Sequence, residues 1–599
     1  MVVFVVLFVL VVNLAAERSG LDSLLFSIAL AVGLTPEFLP MITTIALAQG
    51  AIRMAHRRVI VKSLPAIENL GMLDVVCTDK TGTLTVGEMQ LERAIDLFGT
   101  PYQRAFELGW LNSRYETSLT SPFDAAILAA GTPDLPPHVK LGEIPFDFER
   151  RRISVLVRLG EHELLISKGA PESLLADCTH YEISGSIREF DQATRHRAEL
   201  TVNDLGHAGF RVLAVAWRAV PSETNPNDLQ SESGLTLAAL LAFSDPPLPD
   251  AGQMLRALAS QGVRVKLLTG DNERVTAYVW RSLGMEPTQI VLGSELEGLD
   301  ALALERIVEN VDIFARVTPG QKHQIVLALK RHGHSVGFLG DGINDAPSLA
   351  AADVKISVLN AADVAREAAD VVLLNGHLGM IQTSITEGRL ACANVLKFIL
   401  METSSNFGNI LSMAGAALFL SFLPMLPHQI LLNNLIYDLA QISIPRDKAE
   451  PELTASPIHW DLRLIRSFML LVGPISSLFD FLTFFVLLRF FHASEVLFHT
   501  GWFVESLATQ SLVIFVVRTG GAPWRQRPSR LLVVNVLTCV AVGLLLPYSP
   551  VAATLGFVPL PVPYLLFVLA TVALYLGAVE LAKRPLLRRA GLIAGVTES

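Results

Sequence analysis

Apolar and polar positions divide the chain into two membrane-like ends and a polar centre. Two apolar stretches lie at residues 2–15 and 24–48, and six more follow residue 390. Since a helix needs about 20 mostly apolar residues to cross a bilayer, this pattern predicts about eight membrane helices, the first of them short. The six later spans are centred near Asn409, Tyr437, Leu478, Ser511, Val540 and Val568.

The first apolar stretch begins at the initiator methionine, so a secretory signal peptide is the alternative to a membrane helix. It has no basic leading segment and no clear small-residue cleavage site, and this favours a short or truncated helix.

Basic residues are concentrated in alternate loops between the predicted helices. The loops near His428, His499 and Val558 carry almost none. Because Lys and Arg are enriched in cytoplasmic loops, we predict that the central region and both termini are cytoplasmic, in a plasma membrane or bacterial inner membrane. The basic positions are Arg53, Arg57, Arg58, Lys62, Arg446, Lys448, Arg463, Arg466, Arg518, Arg525, Arg527, Arg530, Lys583, Arg584, Arg588 and Arg589.

In the polar centre, a short apolar run at residues 75–78 ends at Asp79 and is followed by a turn that contains Gly82. Such a run is typical of a buried parallel strand, and open α/β sheets bind their ligands at the carboxyl ends of strands. Asp79 is therefore a candidate nucleophile that holds a phosphoryl group as an acyl phosphate. The alternative is that Asp79 only caps a turn.

Two later runs, at residues 263–268 and 335–339, also end in polar motifs. Their carboxyl ends should bring Thr269 and Asp341 to the same sheet edge as Asp79. Asp341 and Asp345 offer the oxygen ligands that Mg²⁺ prefers, and the Thr269 hydroxyl can donate to phosphate. A P-loop is excluded, because the sequence contains no Gly-Lys pair.

Composition agrees with a chain that is partly membrane-embedded and partly water-exposed. Of the 599 residues, 51% are hydrophobic and 17% are charged, and the mean hydropathy is +0.46. A net charge of -10 argues against nucleic acid as a partner. The four cysteines lack disulfide or metal-ligand spacing, and we interpret them as buried apolar residues: Cys77, Cys178, Cys392 and Cys539.

The motifs at residues 79–85 (DKTGTLT), 269–272 (TGDN) and 340–347 (GDGINDAP) occur in this order. They resemble the phosphorylation domain of P-type ATPases, which has a haloacid-dehalogenase-like fold. The resemblance implies that Asp79 is phosphorylated and that the cofactors are ATP and Mg²⁺. It implies Asp79, Thr81, Asp341 and Asp345 as Mg²⁺ ligands, and Thr269, Gly270, Asp271 and Asn344 as nucleotide contacts.

Lys322, in residues 314–322 (FARVTPGQK), resembles the family's lysine at the phosphorylation site. Without the surrounding motif, a solvated helix lysine would be a reasonable alternative.

Residues 91–240 are polar and mixed, with strand-like runs, as is typical of an inserted domain. The segments 146–151 (FDFERR), 168–172 (KGAPE) and 209–211 (GFR) resemble the family's nucleotide-binding domain. By that resemblance Phe146 stacks on adenine, although it could instead be a core residue, and Phe148 is close by. The implied cations near the phosphates are Arg151, Lys168 and Arg211.

The second apolar stretch must break around Glu37, because Pro36 and Pro40 bracket it. Broken helices at membrane depth line cavities and commonly coordinate cations, and an unpaired glutamate there is costly. Polar residues at helical spacing on two later spans complete a possible site for one divalent cation, although membrane asparagines often serve only in packing. The candidate ligands are Glu37, Asn406, Asn409, Asn434 and Asp438.

The segments 35–40 (TPEFLP), 404–409 (SSNFGN), 431–438 (LLNNLIYD) and 501–505 (GWFVE) resemble the bacterial magnesium-importing P-type ATPases. The resemblance extends over essentially the whole chain and implies Mg²⁺ as the transported ion. Calcium pumps have an acidic residue where Asn409 stands, and fewer anionic ligands suit an ion that keeps some of its water.

One feature of the family is missing from the sequence. P-type ATPases begin with two further helices and an actuator domain, whose Thr-Gly-Glu motif positions the water that hydrolyses the aspartyl phosphate. No Thr-Gly-Glu occurs in this chain, and its beginning resembles the family's third helix. We therefore expect a truncated pump, one half of a split pump whose actuator is a separate chain, or an inert fragment that binds nucleotide.

These observations predict a multi-domain membrane protein: a transmembrane helical bundle and an α/β haloacid-dehalogenase-like phosphorylation domain with an inserted α+β nucleotide-binding domain. The predicted function is ATP-driven magnesium import through an aspartyl phosphate. The alternatives are a pump for another divalent cation such as calcium, or a membrane-anchored phosphatase. The phosphatase is disfavoured because Thr81 stands where such enzymes have a second acid.

The predicted boundaries place the first two helices in 1–50, the nucleotide-binding domain in 91–240 and six helices in 391–585. The stalk and phosphorylation domain take up 51–90 and 241–390, and a cytoplasmic tail takes up 586–599.

Overall fold

The computed structural model describes residues 6–8, 10–12, 20–33, 37–117, 121–147, 149–221, 232–287, 289–374, 379–450, 454–458 and 460–589. Much of the predicted first helix at 2–15 therefore lies outside the described residues, as do Thr35, Pro36 and Phe148.

The predicted break in the second apolar stretch is present. Helix α1 (Gly20–Gly33) ends before it, and helix α2 (Leu39–His56) begins after a turn that contains Glu37 and Phe38. Pro40 lies in the first turn of α2, where a missing backbone N–H removes no helical hydrogen bond. The chain then enters the first α/β domain through β1 (Val59–Val61), α3 (Pro65–Met72) and β2 (Val75–Thr78).

An inserted domain follows, built on a mostly antiparallel sheet of eight strands. Its elements are β3 (Gln90–Ile95), α4 (Gln103–Tyr115), α5 (Pro122–Ala129), β4 (His138–Asp147), β5 (Arg152–Leu159), β6 (His162–Gly169), α6 (Pro171–Asp177), β7 (Cys178–Ile183), β8 (Ser186–Glu189), α7 (Gln192–His207), β9 (Arg211–Ala219) and β10 (Leu235–Ser244). The strand order is β4-β5-β6-β9-β10-β7-β8, and β3 pairs with β10.

The chain then returns to complete the first α/β domain. The elements are α8 (Ala251–Ser260), β11 (Arg264–Leu268), α9 (Glu273–Ser282), β12 (Ile290–Leu292), α10 (Ala301–Asn310), β13 (Ile313–Ala315), α11 (Pro319–Arg331), β14 (Val336–Leu339), α12 (Ala346–Ala351), β15 (Val354–Val358), α13 (Asp363–Ala368) and β16 (Val371–Leu373). The eight-stranded sheet has the order β1-β16-β15-β14-β2-β11-β13-β12, and only β1 is antiparallel to its neighbour.

Strand β2 lies near the centre of this sheet, between β11 and β14, and all four of its residues are buried. Val75 and Cys77 pack into the core on one face, and Val76 packs into the core on the other. Thr78 is in register with Leu267 and Leu339, so the three strands end together. The polar residues that follow them therefore share one edge, as the sequence predicted.

The remaining third of the chain is helical. Its main helices are α14 (Gly379–Phe419), α15 (Pro427–Gln441), α16 (Leu462–Arg489), α17 (Glu495–Leu512), α18 (Ile514–Val517), α19 (Arg530–Leu545) and α20 (Val562–Arg589). Each of the six predicted span centres falls inside one of them. Four helices among the described residues are long and apolar enough to cross a membrane: Leu462–Arg489, Glu495–Val517, Arg530–Tyr548 and Val562–Leu587.

Helix α14 joins the two halves of the molecule. Its 41 residues correspond to a length of about 60 Å, enough to reach from the α/β domain well into the bundle. At its first turns it packs tightly on α3, where a Cβ at Gly388 would lie 2.7 Å from the Ile67 carbonyl oxygen and 2.8 Å from the Gly71 nitrogen. Only glycine permits that approach, so α3, which precedes the Asp79 strand, and α14 are held together.

Candidate active site and ion site

Asp79 follows β2 and is held by one lysine and one backbone amide. The Lys322 ammonium donates to Asp79 Oδ2 at 2.6 Å and to Asp345 Oδ1 at 2.9 Å. The Lys80 backbone N–H donates to Asp79 Oδ1 at 2.6 Å. The Asp79 side chain is 20% exposed, whereas that of Lys322 is 5% exposed. The carboxylate is thus anchored and still reachable by a substrate.

The fold places Lys322 accurately because α11 begins next to it. Thr318 and Gln321 form a capping box that closes the first turn of the helix. Burial alone would lower the pKa of Lys322, but Asp79 and Asp345 together raise it. The lysine is therefore held charged between two carboxylates.

Asp341 and Asp345 bring further negative charge to the same edge. Gly82 has a φ of +73°, and a Cβ there would collide with the Asp341 carboxylate. Burial, together with Asp345 and Asp79, raises the pKa of Asp341 to about 6. Burial also raises the pKa of Asp79, against the effect of Lys322. Three carboxylates beside one ammonium leave an excess of oxygen ligands and negative charge, and this donor set fits Mg²⁺.

A second ionic cluster connects this edge to the inserted domain. Asp271 pairs with Lys80 of the phosphorylation loop and with Arg211 at the start of β9. The Thr269 hydroxyl accepts from the Asp271 backbone N–H at 3.1 Å. Burial and the nearby Arg211 lower the pKa of Lys80 to about 8, although Asp245 and Asp79 oppose the shift. Residues from three distant parts of the sequence therefore meet where the two α/β domains face each other.

Asp245 supports the phosphorylation loop, and the sequence analysis did not single it out as a site residue. Its carboxylate accepts from Thr85 Oγ1 at 2.6 Å and from the Gly87 N–H at 2.9 Å. It also lies 3.8 Å from the Lys80 ammonium. A lone Asp before two prolines carries no local signal for this role. Beside the loop, Thr81 and Asp341 line a cleft of about 460 Å³.

The other residues predicted to bind nucleotide lie apart from one another. Phe146 is half-buried on β4, and Arg151 is exposed in the following turn with a φ of +51°. Gly270 follows β11, and Asn344 is exposed in the 3-10 turn Ile343–Asp345. The structure brings Arg211, Thr269 and Asp271 close to the Asp79 edge, whereas Phe146 and Arg151 are positioned by the inserted sheet.

Lys168 is buried and already paired within the inserted domain. Its ammonium donates to Ser113 Oγ at 2.8 Å, forms an ion pair with Asp124 and lies 3.5 Å from Glu116. Burial and the nearby Asp124 raise the pKa of Glu116 to about 7, although Lys168 opposes the shift. Lys168 thus lies in an acidic pocket, and its charge is shared with these carboxylates.

The membrane half contains a small acidic cavity of about 80 Å³. It is lined by three of the five candidate ion ligands: Glu37 from the turn before α2, and Asn434 and Asp438 from α15. Glu402 from α14 lines it as well. Apolar side chains and Tyr437 form the rest of the described lining, which includes no Lys, Arg or His.

The other two predicted ligands have different surroundings. The Asn406 amide donates to Glu402 Oε1 at 2.9 Å, so Asn406 lies beside the cavity. Asn409 accepts from Gln510 Nε2 of α17 at 2.9 Å, and it does not belong to the cavity lining. Glu402 is not among the ligands predicted from the sequence, although its position four residues before Asn406 puts both on one helical face.

Asp79 lies at the carboxyl edge of an α/β sheet, and one helix runs from that domain to an acidic cavity among apolar helices. This arrangement is that of a membrane protein with an attached α/β domain. Residues 111–250 match the family described as P-type ATPase, cytoplasmic domain N. Residues 422–584 match the family described as cation transporting ATPase, C-terminus. The chain belongs to the P-type cation-transporting ATPases and is a multi-pass membrane protein, of a family that uses ATP and Mg²⁺.

Relatives across the whole chain agree with this assignment. The magnesium-transporting ATPase, P-type 1, of Escherichia coli (strain K12) is 41% identical over 595 residues, which cover 97% of this chain and 66% of the relative. The protein of the same name from Salmonella typhimurium (strain 14028s / SGSC 2262) is 41% identical over 594 residues, with the same coverage. A calcium-transporting ATPase of Bacillus subtilis (strain 168) is 32% identical over 476 residues, or 72% of this chain and 54% of that one. The chain thus spans 66% of the length of the magnesium-transporting relatives.

Proposed function

We propose that the chain carries the phosphorylation, nucleotide-binding and ion-binding parts of an ATP-driven magnesium transporter. The observation that carries the proposal is the Asp79–Lys322–Asp345 arrangement, with its distances of 2.6 and 2.9 Å. The identity to magnesium-transporting relatives supports Mg²⁺ as the cargo, because it exceeds the identity to the calcium-transporting protein cited above.

In the proposed reaction, an Asp79 carboxylate oxygen attacks the γ-phosphorus of ATP. The bond from that phosphorus to the bridging oxygen breaks, and ADP leaves with the electron pair. Lys322 and the backbone N–H of Lys80 stabilise charge around the transferred group, and Thr269 donates to its oxygens. A Mg²⁺ ion bound by Asp79, Thr81, Asp341 and Asp345 would neutralise charge on the phosphate.

Nucleotide binding is proposed at the junction of the two α/β domains. Arg211, Gly270, Asp271 and Asn344 would bind the phosphate and sugar end, since Arg211 already contacts Asp271. Phe146 would stack on the base, and Arg151 and Lys168 would add positive charge. Acidic side chains surround Lys168. Its ammonium can therefore contribute to nucleotide binding only after its ion pair with Asp124 is broken.

The cargo is proposed to occupy the cavity lined by Glu37, Asn434 and Asp438. Asn406 would contact the ion from the edge of the cavity. Asn409 is bonded to Gln510, so it would reach the ion only if the helices shift. Helix α14 supplies a rigid connection from the domain that contains Asp79 to this cavity. Phosphorylation of Asp79 would therefore change the affinity of the cavity for the ion.

The basic loops support a cytoplasmic location for the α/β domains and for both ends of the predicted helical bundle. A plasma membrane or bacterial inner membrane fits that arrangement. Hydrolysis of the aspartyl phosphate needs a group that activates water, and the 599 residues contain no Thr-Gly-Glu. We propose that this group comes from an actuator region outside these residues, for instance on a separate chain.

The first experiment is labelling with γ-labelled ATP in membranes that contain the protein. We expect acid-stable, hydroxylamine-labile label, and we expect Asp79→Asn to abolish it while ATP binding persists. Asp363→Asn is the matched control, because Asp363 has an 89% exposed side chain and contacts only Arg366 among the pairs described. Label that persists in Asp79→Asn would remove Asp79 from the mechanism. Rapid hydrolysis of phosphomonoesters without stable label would instead indicate a phosphatase.

The second experiment tests the cargo by Mg²⁺ uptake into cells that make the protein together with an actuator region. Uptake should require both Asp79 and Asp438. Normal uptake by an Asp438→Asn variant would show that the ion binds elsewhere.

A further inference from the structure

Glu402 is a membrane glutamate whose two carboxylate oxygens are each held by a side-chain amide. Asn406 donates to Oε1 at 2.9 Å, and Gln441 of α15 donates to Oε2 at 2.8 Å. The residue is 4% exposed and lines the same cavity as Glu37 and Asp438. Because α14 and α15 both contribute to its environment, its orientation is fixed by more than its own helix.

Two neutral amides do not compensate a buried carboxylate. Transfer of a charge into a membrane interior is unfavourable by several kcal/mol, and hydrogen bonds recover only part of that. No cationic side chain belongs to the described lining of the cavity, which includes three carboxyl groups. The arrangement therefore lacks a positive charge.

Tyr437 adds a polar group to the lining of the cavity. It is 1% exposed, and its hydroxyl interacts with the side chain of Ser405 on α14. The hydroxyl brings no positive charge, so it does not offset the charge of the carboxyl groups.

Three carboxyl groups converge on this cavity of about 80 Å³ from separate parts of the chain. Together they can replace several waters around a bound cation. Mg²⁺ gives up its waters reluctantly, so strongly anionic ligands of this kind favour its direct binding.

We propose that Glu402 is a direct, third anionic ligand of the transported cation, and that Asn406 and Gln441 are the residues that position it. This inference rests on the proposed transport function. The three carboxylates reach the ion from three separate parts of the fold: the turn before α2 (Glu37), α14 (Glu402) and α15 (Asp438). Binding of the ion therefore links these parts. Asn406, expected from the sequence to be a ligand, acts through Glu402.

The test measures Mg²⁺ binding by thermal stabilisation of the full chain in detergent. All proteins carry Asp341→Asn and Asp345→Asn, which removes the cytoplasmic Mg²⁺ site, and the probe is Mg²⁺ alone. We expect Glu402→Gln, which keeps the shape of the side chain, to weaken the apparent Mg²⁺ affinity about tenfold or more. Asn406→Ala should weaken it less, by about threefold, because only the positioning is lost.

Asn433→Ala is the matched control, since Asn433 is a buried amide on α15 that donates to the Phe503 carbonyl oxygen and does not line the cavity. A second readout, labelling of Asp79 by ATP in chains with an intact cytoplasmic site, should persist in Glu402→Gln and so report a folded protein. If Glu402→Gln fails this test, Glu402→Asp replaces it. Its apparent Mg²⁺ affinity should be lower than that of the parent, because the shorter side chain withdraws the carboxylate from the ion, and an unchanged affinity would contradict the inference.

The outcomes separate this inference from the proposed function. If Glu37→Gln and Asp438→Asn weaken Mg²⁺ binding but Glu402→Gln does not, Glu402 is not a ligand and the transport proposal stands. If none of the three changes affects Mg²⁺ binding, the cavity is not the cargo site and both proposals fail.

Discussion

The molecule contains two clusters of three carboxylates that differ in the charge beside them. In the α/β domain, Asp79, Asp341 and Asp345 share Lys322, which bonds two of them at 2.6 and 2.9 Å. In the membrane half, Glu37, Glu402 and Asp438 line a cavity whose described lining has no basic side chain. Side chains of one chemical type thus lie beside a fixed cation in one half of the molecule and without one in the other.

The positive charge beside the first cluster is permanent, because it belongs to a side chain, whereas any positive charge in the membrane cavity must come from a bound ion that can exchange. A lysine fixed between two carboxylates favours their ionised form and holds them in place. Carboxyl groups in a cavity without a basic side chain need protons or a bound cation to offset their charge, and a bound cation can leave again. The comparison therefore predicts that changes of charge have different consequences at the two clusters.

The largest effect is expected from Lys322→Met. Removal of the ammonium leaves Asp79 and Asp345 buried without their shared cation, a loss of the order of 3–5 kcal/mol for a buried pair. Phosphorylation of Asp79 by ATP should fall by about two to three orders of magnitude, measured by the initial rate of labelling. Lys330→Met is the control, because Lys330 lies on the same helix and pairs with Asp353. A rate within tenfold of the parent would mean that Lys322 is only structural.

A lysine placed in the membrane cavity should replace the ion. Asn434→Lys brings an ammonium to Glu37, Glu402 and Asp438, so the Mg²⁺-free protein should unfold at a higher temperature than the parent. Mg²⁺ should then add no stabilisation, an apparent loss in affinity of about a hundredfold. Asn434→Met tests size without charge and should not raise the unfolding temperature. A lysine variant that still binds Mg²⁺ normally would contradict the comparison.

A smaller effect is expected from Gly82→Ala. The backbone conformation alone costs about 1 kcal/mol for a residue with a Cβ, and the new Cβ would also displace the Asp341 carboxylate. The labelling rate of Asp79 should fall about tenfold. Gly99→Ala separates the two causes, because Gly99 has a φ of +86° and open space around it. Equal losses in both variants would show that Asp341 is not involved.

The smallest effect is expected from Asp480→Asn. Asp480 is buried in α16, where it accepts from Ser412 Oγ at 2.6 Å and from Trp502 Nε1 at 2.8 Å, and it does not line the cavity. Asparagine can keep one of these bonds, so stability should fall while Mg²⁺ affinity stays within about twofold. Thermal unfolding with and without Mg²⁺ measures both. A tenfold loss of affinity would extend the ion site into this cluster.

Local patterns in the sequence were sufficient for the elements and the class of protein. The apolar spans located six helices of the bundle, and the prolines around Glu37 predicted the break between α1 and α2. The run before Asp79 predicted a buried strand that ends at a carboxylate, and the three motifs predicted the family. These features depend on residues close together in the chain, because hydrophobic period and proline geometry act over a few residues.

Only the tertiary structure decided which side chains meet. Lys322 reaches Asp79 across 243 residues of sequence, Lys168 is held by Asp124, and Asn409 contacts Gln510 and not the cavity. Glu402 carries no sequence motif, and it lines the membrane cavity in an orientation that is fixed because α15 packs against its helix and supplies Gln441. The direction and partners of a helical side chain depend on the neighbouring helices, whose positions are set by packing over the whole bundle.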